Sequence, residues 1–587
     1  MRLMSSLGVR IVGGVLLHAA LGAGPATGQA PMRGAGTFPL SAPDRYVTDI
    51  ETSENVHDIA QERIAATLVA GVRRFDWDRA SRGLSAGFRG RFPGLKDGEP
   101  VADDRLAIRR FAPEALDVLD RDGFLETLQA HAGGWTSMER ASWHMFEFLL
   151  HPDRKQAFAK AHVELGGPGS EGQRSVLNAT VAVELVSPSG SGDWQIARLE
   201  LLDGVRIENP EPPFRDITDA VGLHFNRSPS NWRLRQEILD TRASLIDSGL
   251  NVVDWDQDGF WDVVATESWD HSVLFLNDGK GGFVRKPVSF QDRRLIPSQL
   301  LVVDLDNDGA AELVTNRVVY QGNRGWMAVH TRRDGDWQVL PRALEFETEP
   351  GVEDTDALSI AAGDVDGDGL LDLFFAGYET NRSRAASRFN RVDAHDGSDN
   401  LLFINHGGLR FTEESAARGI TGEQYTYVAQ FFDFDEDGDL DIFEGNDYGR
   451  NVIWDNEGGG AFRPLPHHPL ARDANYTKGV TIGDWDNPGQ WSVYVSNMYS
   501  HAGNRVVSLA ESTVSDEMLA RIRLLGEGNQ FFVPGAGTGA LRDAALPLAV
   551  NDGGWAWGCV FYDLDNDGDK EIFVTNGNTS FSDPEAP

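Results

Sequence analysis

A nine-residue acidic pattern, Asp-x-Asp-x-Asp-Gly-x-x-Asp/Glu, occurs five times in full, beginning at Asp254, Asp304, Asp364, Asp433 and Asp563. A sixth, altered copy begins at Asp484, and successive copies lie 50, 60, 69, 51 and 79 residues apart. That period suits a four-stranded propeller blade with connecting loops of variable length. An apolar run precedes each copy, as in Leu-Leu-Val-Val before Asp304, and a second run follows each full copy. Each pair reads as two strands joined by the acidic loop. A further repeated unit runs from Val273 to Phe283, Leu401 to Phe411 and Val452 to Phe462, with Asn and Gly between apolar runs. It predicts a second hairpin per period.

The spacing of the acids specifies the chemistry. Calcium is a hard cation that takes six to eight oxygen ligands, and alternate Asp residues in a tight loop can turn three carboxylates toward one centre. A glycine at position six permits the bend, and position nine supplies a fourth acid. An EF-hand would place its last acid at position twelve between helices, so these loops are of another kind. The expected ligand sets are Asp254, Asp256, Asp258 and Asp262; Asp304, Asp306, Asp308 and Glu312; Asp364, Asp366, Asp368 and Asp372; Asp433, Asp435, Asp437 and Asp441; and Asp563, Asp565, Asp567 and Glu571. Asp and Gly also favour plain turns, but turn chemistry does not call for an acid at position nine. About five Ca2+ sites are therefore expected. In the sixth copy Pro488 and Ser492 replace the third and fourth acids, which predicts a retained turn with little calcium affinity.

Net charge and termini narrow the setting. A formal charge of −37 over 587 residues argues against nucleic acid or an anionic membrane surface as a partner. Arg2 and Arg10 precede an apolar stretch from Ile11 to Gly24, and Gly28 and Ala30 could form a cleavage site, so residues 1–30 read as a signal peptide. No transmembrane segment is expected. The chain is expected to be secreted or periplasmic. Its single cysteine, Cys559, lies in an apolar run and reads as a buried, inert thiol.

Residues 31–44 are rich in Pro and Gly and read as a disordered linker. Residues 45–209 differ in pattern from the repeats. Val56, Ile59, Ile64, Leu68, Val72 and Phe75 recur at helical spacing. Asp103 to Phe111, Asp117 to His131 and Met138 to Leu150 are also read as helical, and Ala157 to Leu165, Ser175 to Val186 and Trp194 to Leu202 as strands. This predicts a small α+β domain, followed by a stiff Asn-Pro-Glu-Pro-Pro linker and a propeller over 214–587. The fold class expected is thus mainly β: a calcium-binding propeller of six to seven blades preceded by the α+β domain.

Several stretches resemble a known group. They are Phe214 to Gly222, Gly479 to Asn487, Val495 to Arg505, and Trp555 to Gly558 running into Phe561 to Gly568. Through them the chain resembles the FG-GAP/VCBS repeat proteins, propellers that include the integrin α head. It looks closer still to the cartilage acidic protein family, whose bacterial members often end in an ASPIC/UnbV domain. The resemblance covers roughly residues 214–580 and implies the fold and calcium, with no defined reaction. The sequence stops at Pro587, soon after the last acidic loop and where the family usually continues, so the last blade would lack its outer hairpin unless residues 214–250 supply it. The first domain is similar to the NTF2-like cone through Phe75 to Ala80, the segment at Phe88 and the strand at Trp194.

No nucleophile elbow, phosphate-binding loop, zinc motif or paired-cysteine motif is present. His144, His151 and His162 are read as ordinary packed or surface residues, and His467 and His468 as loop residues. Arg382, Arg384, Arg388 and Arg391 form a basic insertion, read as a solvated loop with an anion or glycan contact as the alternative. Trp555, Trp557 and Tyr499 are expected to pack between blades. The expected function is an extracellular recognition, adhesion or scaffold module for a protein or glycan, and no motif in the sequence assigns a reaction to it. The alternatives are a hydrolase or lyase acting on an extracellular polymer, and small-molecule binding in the first domain. A cleft with convergent acids outside the five loops would favour an enzyme.

Overall fold

The computed structural model describes residue 40 and residues 50–576, apart from 104–105, 114–115, 191, 211–213, 215, 226–247, 268–271, 289–296, 334–335, 353–354, 382–393, 472–473, 487–488, 499–526, 536–539 and 555. The described residues fall into two compact units, one before Asp216 and one from Asp216 onward. The expected signal peptide and the arginine insertion lie outside the described residues, as do Trp555 and Tyr499.

The first unit opens with the helix Ile50–Ile64, which continues through a π-helical turn at Ala65–Val69 into Ala70–Arg73. Ile64, Leu68 and Val72 bury the expected apolar stripe, whereas Ile59 and Phe75 stay exposed. Two later helices start at aspartates. Asp76 accepts the Arg79 N–H at the head of Trp77–Ser81, and Asp120 accepts the Gly123 N–H at the head of Arg121–Ala132. Four long antiparallel strands, Arg140–Leu150, Gln156–Pro168, Arg174–Val186 and Gln195–Asn209, pair in sequence order. Four shorter strands extend this sheet to eight. Ile64, Leu68, Phe88, Phe124, Met145 and Leu199 belong to the core.

Two expected helices are strands. Within Met138 to Leu150, the side chains of Ala141, Trp143 and Met145 are buried alternately. The register shifts between Met145 and Glu147, and Phe148 and Leu150 resume the alternation. That bulge breaks the period-two pattern and leaves apolar spacings that mimic a helix face. Within Asp103 to Phe111, Ala107–Phe111 pairs with Gly204–Glu208 and buries Ile108 and Phe111. A five-residue strand is too short to declare its period against the charged residues around it.

The second unit is mainly β and propeller-like. Its first sheet comprises Ser248–Val253, Asp262–Glu267, Ser272–Asn277 and Phe283–Val288, each antiparallel to the one before. A second sheet, from Leu300 to Glu347, has five strands because the short Val319–Tyr320 pairs back onto Arg324–Arg333. The third holds Thr355–Gly363, Asp372–Thr380, Leu401–Asn405 and Phe411–Glu413, and the fourth Tyr425–Phe432, Asp441–Asp447, Val452–Asn456 and Phe462–Pro464. The fifth holds Thr477–Gly483, Ser492–Asn497, Gln530–Pro534 and Leu541–Asp543. Among the described residues the sixth has two strands, Ala556–Tyr562 and Glu571–Asn576.

Consecutive sheets share cores. Leu373 and Phe375 pack with Val314 and Met327 of the second sheet, while Phe374 and Ala376 of the same strand pack with Ile442 and Trp454 of the fourth. Asp372–Thr380 is accordingly buried along its whole length. Both faces being covered explains why the strands read as unbroken apolar runs rather than alternating ones.

Candidate metal centres

Each acidic loop joins the first strand of its sheet to the second. Position four takes positive φ at Gln257, Asn307, Gly367, Glu436 and Asn566, and the position-six glycines take φ from 87° to 102°. The second of these turns sharply where a side chain would be strained, which is why glycine recurs there. The position-one carboxylate organises the turn. Asp254 accepts the N–H groups of Asp258 and Gly259, both at 3.0 Å. Asp364, Asp433 and Asp563 bind the same two N–H groups of their loops, and Asp304 accepts from Gly309 at 2.9 Å.

The position-nine acid closes the loop from the other side. Asp262 accepts from Trp255 N–H at 2.8 Å and from Asn277 N–H at 2.7 Å. Asp372 and Asp441 repeat both bonds with Val365 and Asn405, and with Phe434 and Asn456. Glu312 and Glu571 accept from Leu305 and Leu564.

Three carboxylates converge in every full loop, with one oxygen from each within 4.8 Å of the others. The trios are Asp254, Asp256 and Asp262; Asp304, Asp306 and Asp308; Asp364, Asp366 and Asp372; Asp433, Asp435 and Asp441; and Asp563, Asp565 and Glu571. The fourth expected ligand stands outside each trio. Asp258, Asp368, Asp437 and Asp567 accept the N–H two residues ahead, as Asp308 does within its own trio, and Glu312 is the one left out in the second loop. In the altered loop Asp484 still accepts Gly489 N–H at 2.9 Å, the bond that position one makes to the position-six glycine in the full loops. That loop forms no trio among the described residues.

The electrostatics of the acidic loops are compatible with a bound cation. Burial, reinforced by Asp306, Asp308 and Asp304, pushes the Glu312 carboxyl up to about 7. Burial likewise raises Asp372 and Asp441 to about 6. Asp304 Oδ1, Asp306 Oδ1 and Asp366 Oδ1 are buried without a hydrogen-bond partner. Carboxylates driven together out of water and left with open lone pairs fit a hard divalent ion, and an all-oxygen donor set fits calcium. Asp366 is modified by a neighbour, since Arg418 donates to its Oδ2 at 3.2 Å.

The asparagines of the second hairpins have a role beyond their turns. Asn405 Nδ2 donates to Leu305 O at 2.7 Å, and Asn456 Nδ2 to Val365 O at 2.8 Å. Each thereby ties its own sheet to position two of the preceding sheet's acidic loop. Neighbouring loops also touch directly, as Asn307 donates to Gly369 O and Lys570 Nζ to Asp484 O, each at 2.9 Å. The loops therefore lie side by side at one end of the sheets.

Other flagged residues are placed plainly. His144 and His162 sit opposite each other on paired strands, not on a helix, and no described metal-type cluster includes them. His162 stacks on Phe146 and contacts Thr180 Oγ1 at 3.1 Å. Burial lowers His468 to about 4. Trp557 packs between sheets, against Tyr427. Burial pushes the Cys559 thiol up to about 12, which keeps it protonated.

A comparison with curated proteins finds no match. Among solved structures the chain is similar to a proposed scytalone dehydratase from Novosphingobium aromaticivorans DSM 12444, at 13% identity and TM-score 0.20, covering 28% of this chain and 99% of that one. It is similar to an α-L-arabinanase from Penicillium chrysogenum, at 10% identity and TM-score 0.30, covering 56% and 92%. A β-xylosidase/α-arabinofuranosidase from a compost microbial metagenome follows at 12% identity and TM-score 0.23, covering 50% and 93%. The matching family model is the FG-GAP-like repeat, and the chain carries it at residues 254–315, across the first two full loops, and 433–495, across the fourth full loop and the altered one.

Proposed function

We propose that the chain is a secreted, calcium-stabilised β-propeller of six to seven blades that serves as an extracellular recognition, adhesion or scaffold module. On this reading the residues before Asp216 form an accompanying α+β domain, and the propeller belongs with the cartilage acidic proteins among FG-GAP proteins. One observation carries it: five convergent carboxylate trios stand side by side at one end of the sheets. Calcium there fixes the blades, and the opposite strand ends are left to meet a partner. No helix is long and apolar enough to cross a membrane among the described residues.

The test is calcium-dependent binding without turnover. Immobilised protein in millimolar calcium should retain an extracellular polysaccharide or protein, release it on chelation, and generate no new chain ends. Release of reducing ends in proportion to protein would replace this reading with the hydrolase. That second reading draws support from one feature, a cleft lined by carboxylates between the second and third sheets.

A further inference from the structure

The cleft is a cavity of about 430 Å³. Its walls include Thr355 and Ala357, near the start of the strand that runs into the Asp364 loop, and Gly377 and Thr380, near the end of the strand that leaves it. The cavity thus lies away from the calcium loops. Tyr320, Phe346 and Phe375 give it aromatic surface. Glu347, Glu349, Asp396, Asp399 and Glu423 also line it; these residues are solvent-exposed as wholes, while the Asp399 carboxyl itself is partly enclosed. No lysine, arginine or histidine lines it among the described residues.

The acids stand beside an apolar wall that also holds Thr348, whose Oγ1 is turned away from solvent. The Asp399 carboxyl is raised above the ordinary carboxylate range by burial, then by Glu423, Glu349 and Glu413. Asp396 is partly satisfied, because Tyr425 OH donates to its Oδ1 at 3.1 Å. A concave apolar site of a few hundred Å³ with a few polar groups is a small-ligand site in general. Here the sign of its charge selects the ligand. An anion would be repelled, and a neutral sugar would leave the carboxylates facing one another. A cation would relieve that repulsion through charge-assisted hydrogen bonds, and its apolar stem would cover the aromatic wall.

We infer that this cavity binds an organic ammonium or guanidinium group carried on an apolar stem, supplied by a free amine or by a lysine or arginine of a partner protein. The inference names a ligand class for the recognition reading and rests on it, while the cavity's geometry is separate from the calcium loops.

The experiment is calorimetry on the full chain saturated with calcium, using phenethylammonium, its neutral N-acetyl derivative and the peptide amide Ac-Phe-Arg-NH2. Calcium stoichiometry is measured on the same sample. Phenethylammonium should bind one to one, and the neutral derivative at least about tenfold more weakly, a factor worth about 1.4 kcal/mol. The Asp399→Asn, Glu423→Gln double variant should lose roughly tenfold for both cations with its calcium count unchanged. Tighter binding of the peptide assigns the ligand to a partner protein, and tighter binding of the amine to a free metabolite; either supports the inference. Equal binding of the neutral derivative overturns it, and so does absence of cation binding while calcium is fully bound. Should the double variant melt early, the wild-type comparison of charged and neutral ligands and the single Glu423→Gln change still decide. A missing calcium complement with amine binding intact would overturn the calcium reading and spare this one.

Discussion

Lys478 Nζ donates to Asp447 Oδ2 across 2.5 Å, with both side chains only 2% exposed, and so bridges the fourth and fifth sheets. Tyr378 OH of the third sheet donates to the same Asp447 oxygen at 2.7 Å, and the ammonium lies 4.2 Å above the Tyr427 ring. Removing one partner strands the other charge in a dry setting. Lys478→Met should therefore destabilise the protein by about 3–5 kcal/mol. The pair Lys478→Met, Asp447→Leu should recover a large part of that loss. Denaturant melts of the two variants check this, and equal losses in both would show that the ion pair is not the operative contact.

Calcium removal should lower Tm steeply. An ion that binds only the folded state contributes about 2.7 kcal/mol per site at a hundredfold excess over its Kd. Five such sites make a fall of roughly 10 °C or more on chelation the expected result. Calorimetry should count about five ions per chain. A melt indifferent to chelator, with metal loss verified, would contradict the assignment of the trios.

Two substitutions separate a full loop from the altered one. Asp306→Ala removes an oxygen that has no protein partner. It should weaken calcium at that loop and cost stability only while calcium is present. Asp486→Ala lies in the loop that lacks two acids, and it should leave calcium stoichiometry unchanged. If turns alone held these loops, both variants would lose similar stability with or without calcium.

His131 gives the first unit an acid sensitivity. Its Nε2 bonds Pro93 O at 2.8 Å, and Arg206 donates to its Nδ1 at 3.3 Å, an arrangement that requires the neutral ring. Burial is the main cause that lowers its pKa to about 4. The folded state thus binds the proton less readily than the unfolded state, whose value is near 6.5. Its stabilising contribution is complete above about 6.5 and is lost as pH falls toward 4, by up to about 3 kcal/mol. Tm measured from pH 7 to pH 4 should drop less in His131→Gln than in the wild type. Parallel slopes would rule out this residue as the source.

Asn456→Leu should cost about 1–3 kcal/mol, because it leaves Val365 O and Leu440 O without the donor they share. Hydrogen exchange should then accelerate at both the Asp364 and the Asp433 loops. Acceleration confined to the mutated hairpin would show that the asparagine serves its own turn only.

The acidic loops and paired hairpins were legible because local chemistry dictates them: carboxylate, glycine and asparagine positions recur within short windows. What escaped was set by distance or by register. Asn456 and Val365 are 91 residues apart, and nothing near either one announces the other. The bond from Phe260 N–H to Asp258 two residues before it was likewise not announced by the spacing of the acids. Met138 to Leu150 misleads because one bulge shifts the apolar face halfway along a strand. The acid-lined cavity combines residues of two sheets and carries no motif at all.

The strand Asp372–Thr380 lends alternate side chains to two different neighbours, so the second, third and fourth sheets are joined through shared cores. Deleting one sheet would expose apolar surface on both sides of the gap, and a change of residue size in one sheet would be felt in the next. Variation in such a chain is therefore channelled to where faces are not shared, the turns and crossings at the strand ends. New binding preferences can accumulate there while the stack that carries them stays the same.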